Sequence, residues 1–282
     1  MKTIAIVNQK GGCGKTTTAI NLSASLASLG KRVLLIDMDP QSHASLGLNI
    51  KPNELEICLY DVLLSIDEVD RPILEDIITH AGENLDLIPS NIVLSAFEQK
   101  LANTPGRETR LLQAIQKMKR EYDYILIDCP PSVGLLSFNA LMAAQDAIIP
   151  VEPSFFSLHG LGKLTETIQL FTEKLSHNIH ILLTMFDRRT RLSSEIFEEV
   201  KKHFRENTFQ TVIHFNIRLK EAASFGSPIT EFDKHCIGYK DFLSLAEEVV
   251  QIPEKDMQEQ ATQILGPRPV LNGILFSYKA AD

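Results

Sequence analysis

The start of the chain restricts its fold more than any other stretch. The apolar run Ile4–Val7 ends at Asn8, and Gln9-Lys10-Gly11-Gly12-Cys13-Gly14-Lys15-Thr16-Thr17 follows directly. Beyond it, Ala19, Ile20, Leu22, Ser23, Leu26 and Ala27 recur at helix-face spacing, and Gly30 stands where a helix-ending glycine belongs. Val33–Asp37 then supplies a second β-branched and leucine-rich run, so the pattern predicts a strand, a glycine loop, a helix and a parallel strand. A glycine loop between a strand and a helix start is a phosphate cradle. Glycines let backbone N–H groups converge on phosphate oxygens, and the helix dipole adds partial positive charge. The spacing assigns Gly11, Gly12, Cys13, Gly14, Lys15, Thr16 and Thr17 to the nucleotide, with Lys15 on the β/γ phosphates and the Thr16 hydroxyl on Mg²⁺. The bland alternative is a glycine turn that merely joins strand to helix. The loop also departs from the usual G-x-x-x-x-G-K-[ST] pattern, because Gln9 occupies the first glycine position and Lys10 adds a second lysine. Lys10 is either a solvated surface residue or a group aimed at a nucleotide held by a facing subunit, an in-trans counterpart of an arginine finger.

The rest of the chain repeats the alternation. Strands are predicted at 3–7, 33–37, 85–88, 124–128, 147–151, 180–184 and 211–215, with helices from Thr16 to Leu29 and near 54–65, 70–80, 107–121, 133–143, 160–174, 193–206 and 240–251. This predicts an α/β fold: a mostly parallel twisted sheet of about seven or eight strands with helices on both faces. At 282 residues and 44% apolar content, one core needs no disulfide or metal. The four cysteines (Cys13, Cys58, Cys129, Cys236) show neither C-x-x-C nor zinc spacing, which suits a reducing compartment. The apolar start is too short for a signal peptide, and no run approaches a membrane span, so a cytoplasmic protein is expected. The eight histidines show no ligand spacing, and His159, His177 and His180 read as surface or boundary residues. The pattern breaks after Ile252, where Pro253, a Glu/Gln-rich stretch and Gly266-Pro267-Arg268-Pro269 follow. A domain over 1–252 and an appendage over 253–282 are expected.

Lys10-Gly11-Gly12-Cys13-Gly14-Lys15-Thr16-Thr17 resembles the deviant Walker A motif of the ParA/MinD family of P-loop ATPases. The resemblance runs to about residue 250. It takes in Gly30–Gln41 (second strand and first switch), Tyr122–Ser132 (Walker B strand and second switch) and Leu182–Asp187 (the strand end beside the adenine). Asp39-Pro40-Gln41, Thr184-Met185-Phe186-Asp187 and Ile217-Arg218-Leu219 resemble the ParA/Soj branch most closely. The resemblance implies ATP and Mg²⁺ as cofactors and an ATP-sandwich dimer crossed by Lys10. Asp37, Asp39 and Asp128 each end a predicted parallel strand, where open α/β sheets bind ligands, although a lone aspartate there is often a cap. By resemblance, Asp128 holds Mg²⁺ together with Thr16. Asp39 belongs with them to the metal set and also positions the attacking water, so that Lys10, Lys15 and Asp39 form the catalytic set. Asp37 belongs to the first switch. Pro130-Pro131 stiffens the loop after Asp128, and Gly134 is read as its hinge. Met185, His214 and Asn216 are placed at the adenine.

The net charge is -8, yet residues 187–220 carry +3 against -11 for the remainder. Such a stripe (Arg188, Arg189, Arg191, Lys201, Lys202, Arg205, Arg218, Lys220) is commonly a solvated helix face. The resemblance implies instead that Arg189 and Arg218, helped by Lys220, contact DNA without sequence preference in the ATP dimer, where two weak patches act together. The sequence departs from the family here: His214-Phe215 replaces a usual Pro-Arg, and Lys220-Glu221-Ala222-Ala223 replaces Ser-Glu-Ala-Pro. Lys10 leaves no room before it for an N-terminal helix-turn-helix. The tail is too poor in basic residues to read as a membrane helix, and packing on the body or docking a partner is expected of it. The leading expectation is a nucleoid-associated partition ATPase that a ParB-like protein stimulates to hydrolyse ATP and so release DNA. The alternatives are the same engine carrying a protein cargo (chemoreceptor array, microcompartment, flagellum), a MinD-like division-site ATPase, or a metabolic or redox enzyme on the scaffold.

Overall fold

The computed structural model describes residues 1–54, 56–171, 178–204 and 207–253. The expectations for the tail beyond 253, for Arg205 and for His177 lie outside the described residues, as does the side chain of His159. Met1–Ile252 pack as one compact unit.

Among the described residues, seven strands form one sheet: β1 Lys2–Ile6, β2 Val33–Asp37, β3 Thr79–Gly82, β4 Leu85–Ile88, β5 Tyr124–Asp128, β6 Asp146–Val151 and β7 Asn178–Leu183. Their order is β3-β4-β2-β5-β1-β6-β7, parallel throughout except for the β3·β4 edge pair. Between and after them lie α1 Lys15–Ser28, α2 His43–Leu46, α3 Leu59–Leu64, α4 Phe97–Lys100, α5 Arg110–Gln116, α6 Leu135–Ala143, α7 Phe155–Phe171, α8 Arg191–Phe204, α9 Ile217–Ser224, α10 Ile229–Phe232 and α11 Ile237–Gln251. Strand residues alternate between two cores because successive side chains leave opposite faces. Ile4 and Ile6 pack with Leu22 of α1 and Phe242 of α11, whereas Ala5, Ile125 and Ile127 pack with the face that holds Leu59 of α3, Leu111 of α5 and Leu164 of α7. Both faces of the central strands are therefore dry, which is why they read as continuous apolar runs.

Three predicted elements differ. The helix expected at 70–80 is a 3₁₀ turn, Leu74–Ile77, followed by β3, whose four residues carry a register shift between His80 and Gly82. So short and irregular an edge strand leaves no alternating pattern to read. The strand expected at 211–215 is not a full strand of the sheet but runs beside the end of β7, where Ile213 N–H donates to the Leu183 carbonyl, Phe215 N–H donates to the Phe186 carbonyl and an isolated bridge joins His214 to Phe186. Other N–H groups here turn to α11: Glu248 accepts from Gln210 and Thr211, and Asp241 accepts from His214. Those carboxylates satisfy the N–H groups on the side away from β7. The helix expected at 107–121 splits into a 3₁₀ turn, Arg107–Thr109, and the short α5. His180 is half-buried at the end of the sheet away from the glycine loop. Its Nε2 lies 2.8 Å from Asp146, which Lys2 also approaches at 3.4 Å.

Candidate nucleotide site

The glycine loop runs from the end of β1 to the first residue of α1, at the carboxyl end of the sheet. Gly12 (φ 74°) and Gly14 (φ 90°) both take left-handed backbone, which glycine adopts without steric cost. Asn8 fixes the loop entrance, donating to the Pro150 carbonyl at 2.7 Å and accepting from the Lys10 N–H at 3.0 Å. Thr184, directly after β7, fixes the exit by donating its hydroxyl proton to the Cys13 carbonyl at 2.7 Å. Lys15 is buried, with Nζ folded onto the Lys10 carbonyl at 3.1 Å. That neutral partner leaves the ammonium its full charge to give to a phosphate.

Register brings the acidic residues together beneath this loop. Asp37 on β2 pairs with Asp128 on β5, and Asp128 pairs on its other side with Ile6, just before the loop. Asp37 is well provided for, since it accepts from the Ser45 N–H (2.9 Å), the Ser45 hydroxyl (2.7 Å) and the Asp39 N–H (3.1 Å). Burial still pushes its carboxyl up to about 6 against those bonds. Asp128 is 0% exposed, and among the described residues no group, the nearby Thr16 hydroxyl included, meets hydrogen-bond geometry with either of its oxygens. Burial drives its carboxyl well above the usual carboxylate range, Asp37 and Asp39 add to the push, and the Thr16 hydroxyl and Lys15 oppose it. A buried carboxylate without donors is costly, and a divalent cation is the partner that would relieve it. Thr16 is the second residue of α1, directly after Lys15, so a hydroxyl, a carboxylate and a phosphate loop converge. That donor set fits Mg²⁺, which takes one or two protein oxygens and completes its shell with phosphate and water. Asp39 is buried beside them and accepts from the Gln41 N–H at 2.9 Å.

A cleft opens beside the loop, lined by Gly14, Thr17, Met185, His214, Asn216 and Lys220 among others. The three residues expected at the base therefore lie together and next to the phosphate loop. Met185 holds a left-handed φ of 53°, a conformation that costs a non-glycine residue about 1–2 kcal/mol. The flanking bonds Thr184 N–H to Val151 and Phe186 N–H to Ile213 impose it. Asn216 caps α9 by accepting from the Arg218 N–H. His214 is anchored by Asp241, a partner the sequence did not suggest.

In the single chain Lys10 is engaged with its own copy. It turns onto its own chain, 2.5 Å from Glu152 and 3.5 Å from the Ser154 hydroxyl. Both members of the ion pair are partly exposed, so exchanging partners costs little, about 0–1 kcal/mol. After β5, Pro130 and Pro131 lead to Gly134, the N-cap of α6, which has ordinary extended backbone (φ -118°, ψ -171°). A Cβ there would sit 3.1 Å from a carboxylate oxygen of the exposed Glu98 side chain, which is able to move aside.

The basic stripe is more self-paired than its composition suggested. Arg189 is highly exposed but holds Asp187 at 2.7 Å, keeping that carboxyl down at about 2. Arg218 bonds Asp233 (2.8 Å) and Glu221 (2.6 Å) and lies over the Phe232 ring. Lys220 lies over exposed Phe215. Arg218 and Lys220 share α9, whereas Arg189 stands on the turn before α8.

Residues 1–181 match a family described as an AAA domain. The chain is 48% identical over 251 residues to the sporulation initiation inhibitor protein Soj of Bacillus subtilis, covering 88% of this chain and 98% of that protein. It is 44% identical over 251 residues to the chromosome partitioning protein ParA of Myxococcus xanthus, covering 88% and 87%. Among solved structures, it is similar to cobyrinic acid a,c-diamide synthase of Mycobacterium smegmatis with bound ATP analog and magnesium. That match has 28% identity and a TM-score of 0.75 over 89% of this chain and 94% of that one. The match in sequence to Soj and ParA, carried on a P-loop sheet with its acidic pair beneath the loop, makes this chain a member of the ParA/MinD family of P-loop ATPases, in its ParA/Soj branch.

Proposed function

We propose that this chain binds Mg²⁺-ATP, dimerises in that state, and then holds DNA without sequence preference until a ParB-like partner stimulates hydrolysis and releases it. The cycle would segregate chromosomal or plasmid DNA, with the protein cytoplasmic and nucleoid-associated. The observation that carries the nucleotide half is the Asp128 carboxylate, fully buried and unbonded against Thr16 and Lys15. The similarity to Soj and ParA supports the partition half.

In this reading Lys15 leaves the Lys10 carbonyl for the β/γ phosphates, and the loop N–H groups between Gly11 and Thr17 take the remaining oxygens. Thr16 and Asp128 hold the metal. Held there, Mg²⁺ would supply positive charge against the negative charge that phosphoryl transfer develops. Asp39 orients the attacking water, while Lys10 leaves Glu152 and reaches across the dimer. Positioning and charge neutralisation are nearly all that phosphoryl transfer asks of the protein. Pro130, Pro131 and Gly134, which follow Asp128, and Asp37, beside it, link γ-phosphate loss to the dimer face. Arg189, Arg218 and Lys220 meet DNA once dimerisation sets two stripes side by side.

A redox role on the same scaffold has less support. Cys129 is fully buried directly after Asp128, so it presents no exposed thiol to a cluster shared across a dimer face.

An Asp39→Ala variant tests the cycle. It should bind ATP, elute as a dimer and stay on DNA with hydrolysis lost. Normal turnover in that variant would refute the water-positioning role.

A further inference from the structure

Within the basic stripe, the tightly held cations are the two arginines read as meeting DNA. Arg189 gives its fork to a single carboxylate, Nε to Asp187 Oδ1 at 2.9 Å and Nη2 to Oδ2 at 2.7 Å. Arg218 gives Nε to Asp233 at 2.8 Å and Nη1 to Glu221 at 2.6 Å, and its guanidinium carbon lies 4.8 Å from the centre of the Phe232 ring. The other described arginine and lysine ion pairs of the stripe are looser: Arg191 stands 3.7 Å from Glu195, and Lys202 stands 3.8 Å from Glu199. Lys201 reaches the neutral Gln210 side chain, and Lys220 lies over the Phe215 ring. The two aspartates are themselves preset. Asp187 Oδ1 also accepts the Arg189 backbone N–H at 3.0 Å, and Asp233 Oδ1 accepts the His235 N–H at 3.0 Å, which leaves Oδ2 for Arg218. Arg218 first, and the His235 N–H after it, hold the Asp233 carboxyl below its usual range. A carboxylate that grips a guanidinium in this way occupies the donors that a phosphate would take. A DNA backbone reaches these donors only by displacing an internal anion.

Resting on the DNA reading above, we infer that Asp187 and Asp233 are internal competitors for phosphate. They hold Arg189 and Arg218 in the free chain, give way to the DNA backbone, and keep one patch too weak to retain DNA until ATP pairs two. Glu221 assists at Arg218. Exposed ion pairs are weak, so the exchange is reversible and its cost per arginine is small. Joining two patches outweighs that cost, whereas one patch alone does not. The displaced acid also recaptures a cation, which offsets part of the counterion release that a phosphate contact brings. The acids thus set the threshold that makes binding conditional.

The test measures the affinity of the full chain for a labelled duplex by fluorescence anisotropy across a salt series, with Mg²⁺-ATP and without nucleotide. Asp187→Asn and Asp233→Asn keep the shape of each side chain and an oxygen for the local backbone N–H. Each should tighten binding in the ATP state about threefold to tenfold at moderate salt and steepen the salt dependence by about one ion. The double variant should bind DNA at low salt without nucleotide, where wild type does not. Glu198→Gln removes the same charge from an exposed acid of α8 that holds neither arginine, and should change affinity at most about twofold. In an Arg218→Ala background, Asp233→Asn should add no more than Glu198→Gln does. A cooperative melt and the mass with ATP by light scattering check that each variant folds and dimerises. Should one aspartate variant fail that check, the other carries the comparison. Wild-type affinity in the folded variants, a gain no larger than that of Glu198→Gln, a full gain from Asp233→Asn without Arg218, or a double variant as dependent on ATP as wild type overturns the inference. Absence of DNA binding by wild type and every variant, or unchanged binding when both arginines are alanine, would instead overturn the DNA reading itself.

Discussion

Asp128→Asn separates what a buried charge costs the fold from what it does for the ligand. In the metal-free protein this carboxylate has no donor and faces Asp37 and Asp39, so the folded chain either holds a desolvated charge or binds a proton to quench it. The effective penalty for a buried ion is several kcal/mol, and asparagine exchanges it for a neutral amide short of partners, at about 1–3 kcal/mol. The variant should therefore be more stable than wild type without ligand, by about 1–2 kcal/mol, which is roughly 2–8 °C in melting temperature for a unit of this size. With Mg²⁺-ATP at a hundredfold excess over its dissociation constant, wild type should gain about 2.7 kcal/mol, roughly 5–10 °C. The variant should gain no more with Mg²⁺-ATP than with ATP and a chelator. The assay is thermal melting followed by circular dichroism in chelator, with ATP and chelator, and with Mg²⁺-ATP. Lower melting of the metal-free variant would show that the carboxylate is already satisfied. A full magnesium-dependent gain in the variant would show that it is not the metal residue.

Asp37 sets a pH window. Its folded-state value of about 6 lies above the unfolded value near 4, so the folded chain holds this proton more tightly. That contribution is complete below pH 4 and is lost as pH rises through 6, about 3 kcal/mol in all, so metal-free stability should decline across pH 4–6 in wild type and decline less in Asp37→Asn. Thr184→Val removes the bond to the Cys13 carbonyl and should cost about 1–2 kcal/mol of stability, with ATP affinity falling several-fold; wild-type affinity would show that the loop holds its shape alone. Arg189→Ala combined with Arg218→Ala should abolish DNA retention while the ATP dimer persists by sizing, and unchanged retention at moderate salt would reduce the stripe to solvated surface.

The site is most legible where chemistry and secondary structure share the same residues. Gly12, Gly14, Lys15 and Thr16 announce a phosphate loop because backbone conformation, charge and hydroxyl are all demanded at fixed spacing after a strand. The central strands are legible for a related reason: burial on both faces leaves uninterrupted apolar runs, and Asp37 and Asp128 stand out at their ends. Partners distant in sequence are not legible. Glu152 under Lys10, Asp241 under His214 and Thr184 over Cys13 are each chosen by packing, and nothing local marks them. The stripe around Arg189 and Arg218 shows the opposite error, because composition counts charges without their neighbours. Asp187, Glu221 and Asp233 take up arginines that the sum leaves free. Edge strand β3 escapes because four residues with a register shift have no periodicity to display.

The central claim is that ATP, by pairing two copies, turns an acidic protein into one that binds DNA. Its most direct test is retention of the wild-type chain on a labelled DNA of arbitrary sequence, with Mg²⁺-ATP, with Mg²⁺-ADP and with no nucleotide, alongside the mass in each state by light scattering. The account predicts a dimer and salt-sensitive retention with ATP alone, and a monomer that does not bind in the other two states. Equal retention in all three states, or DNA binding by a monomer, would contradict it.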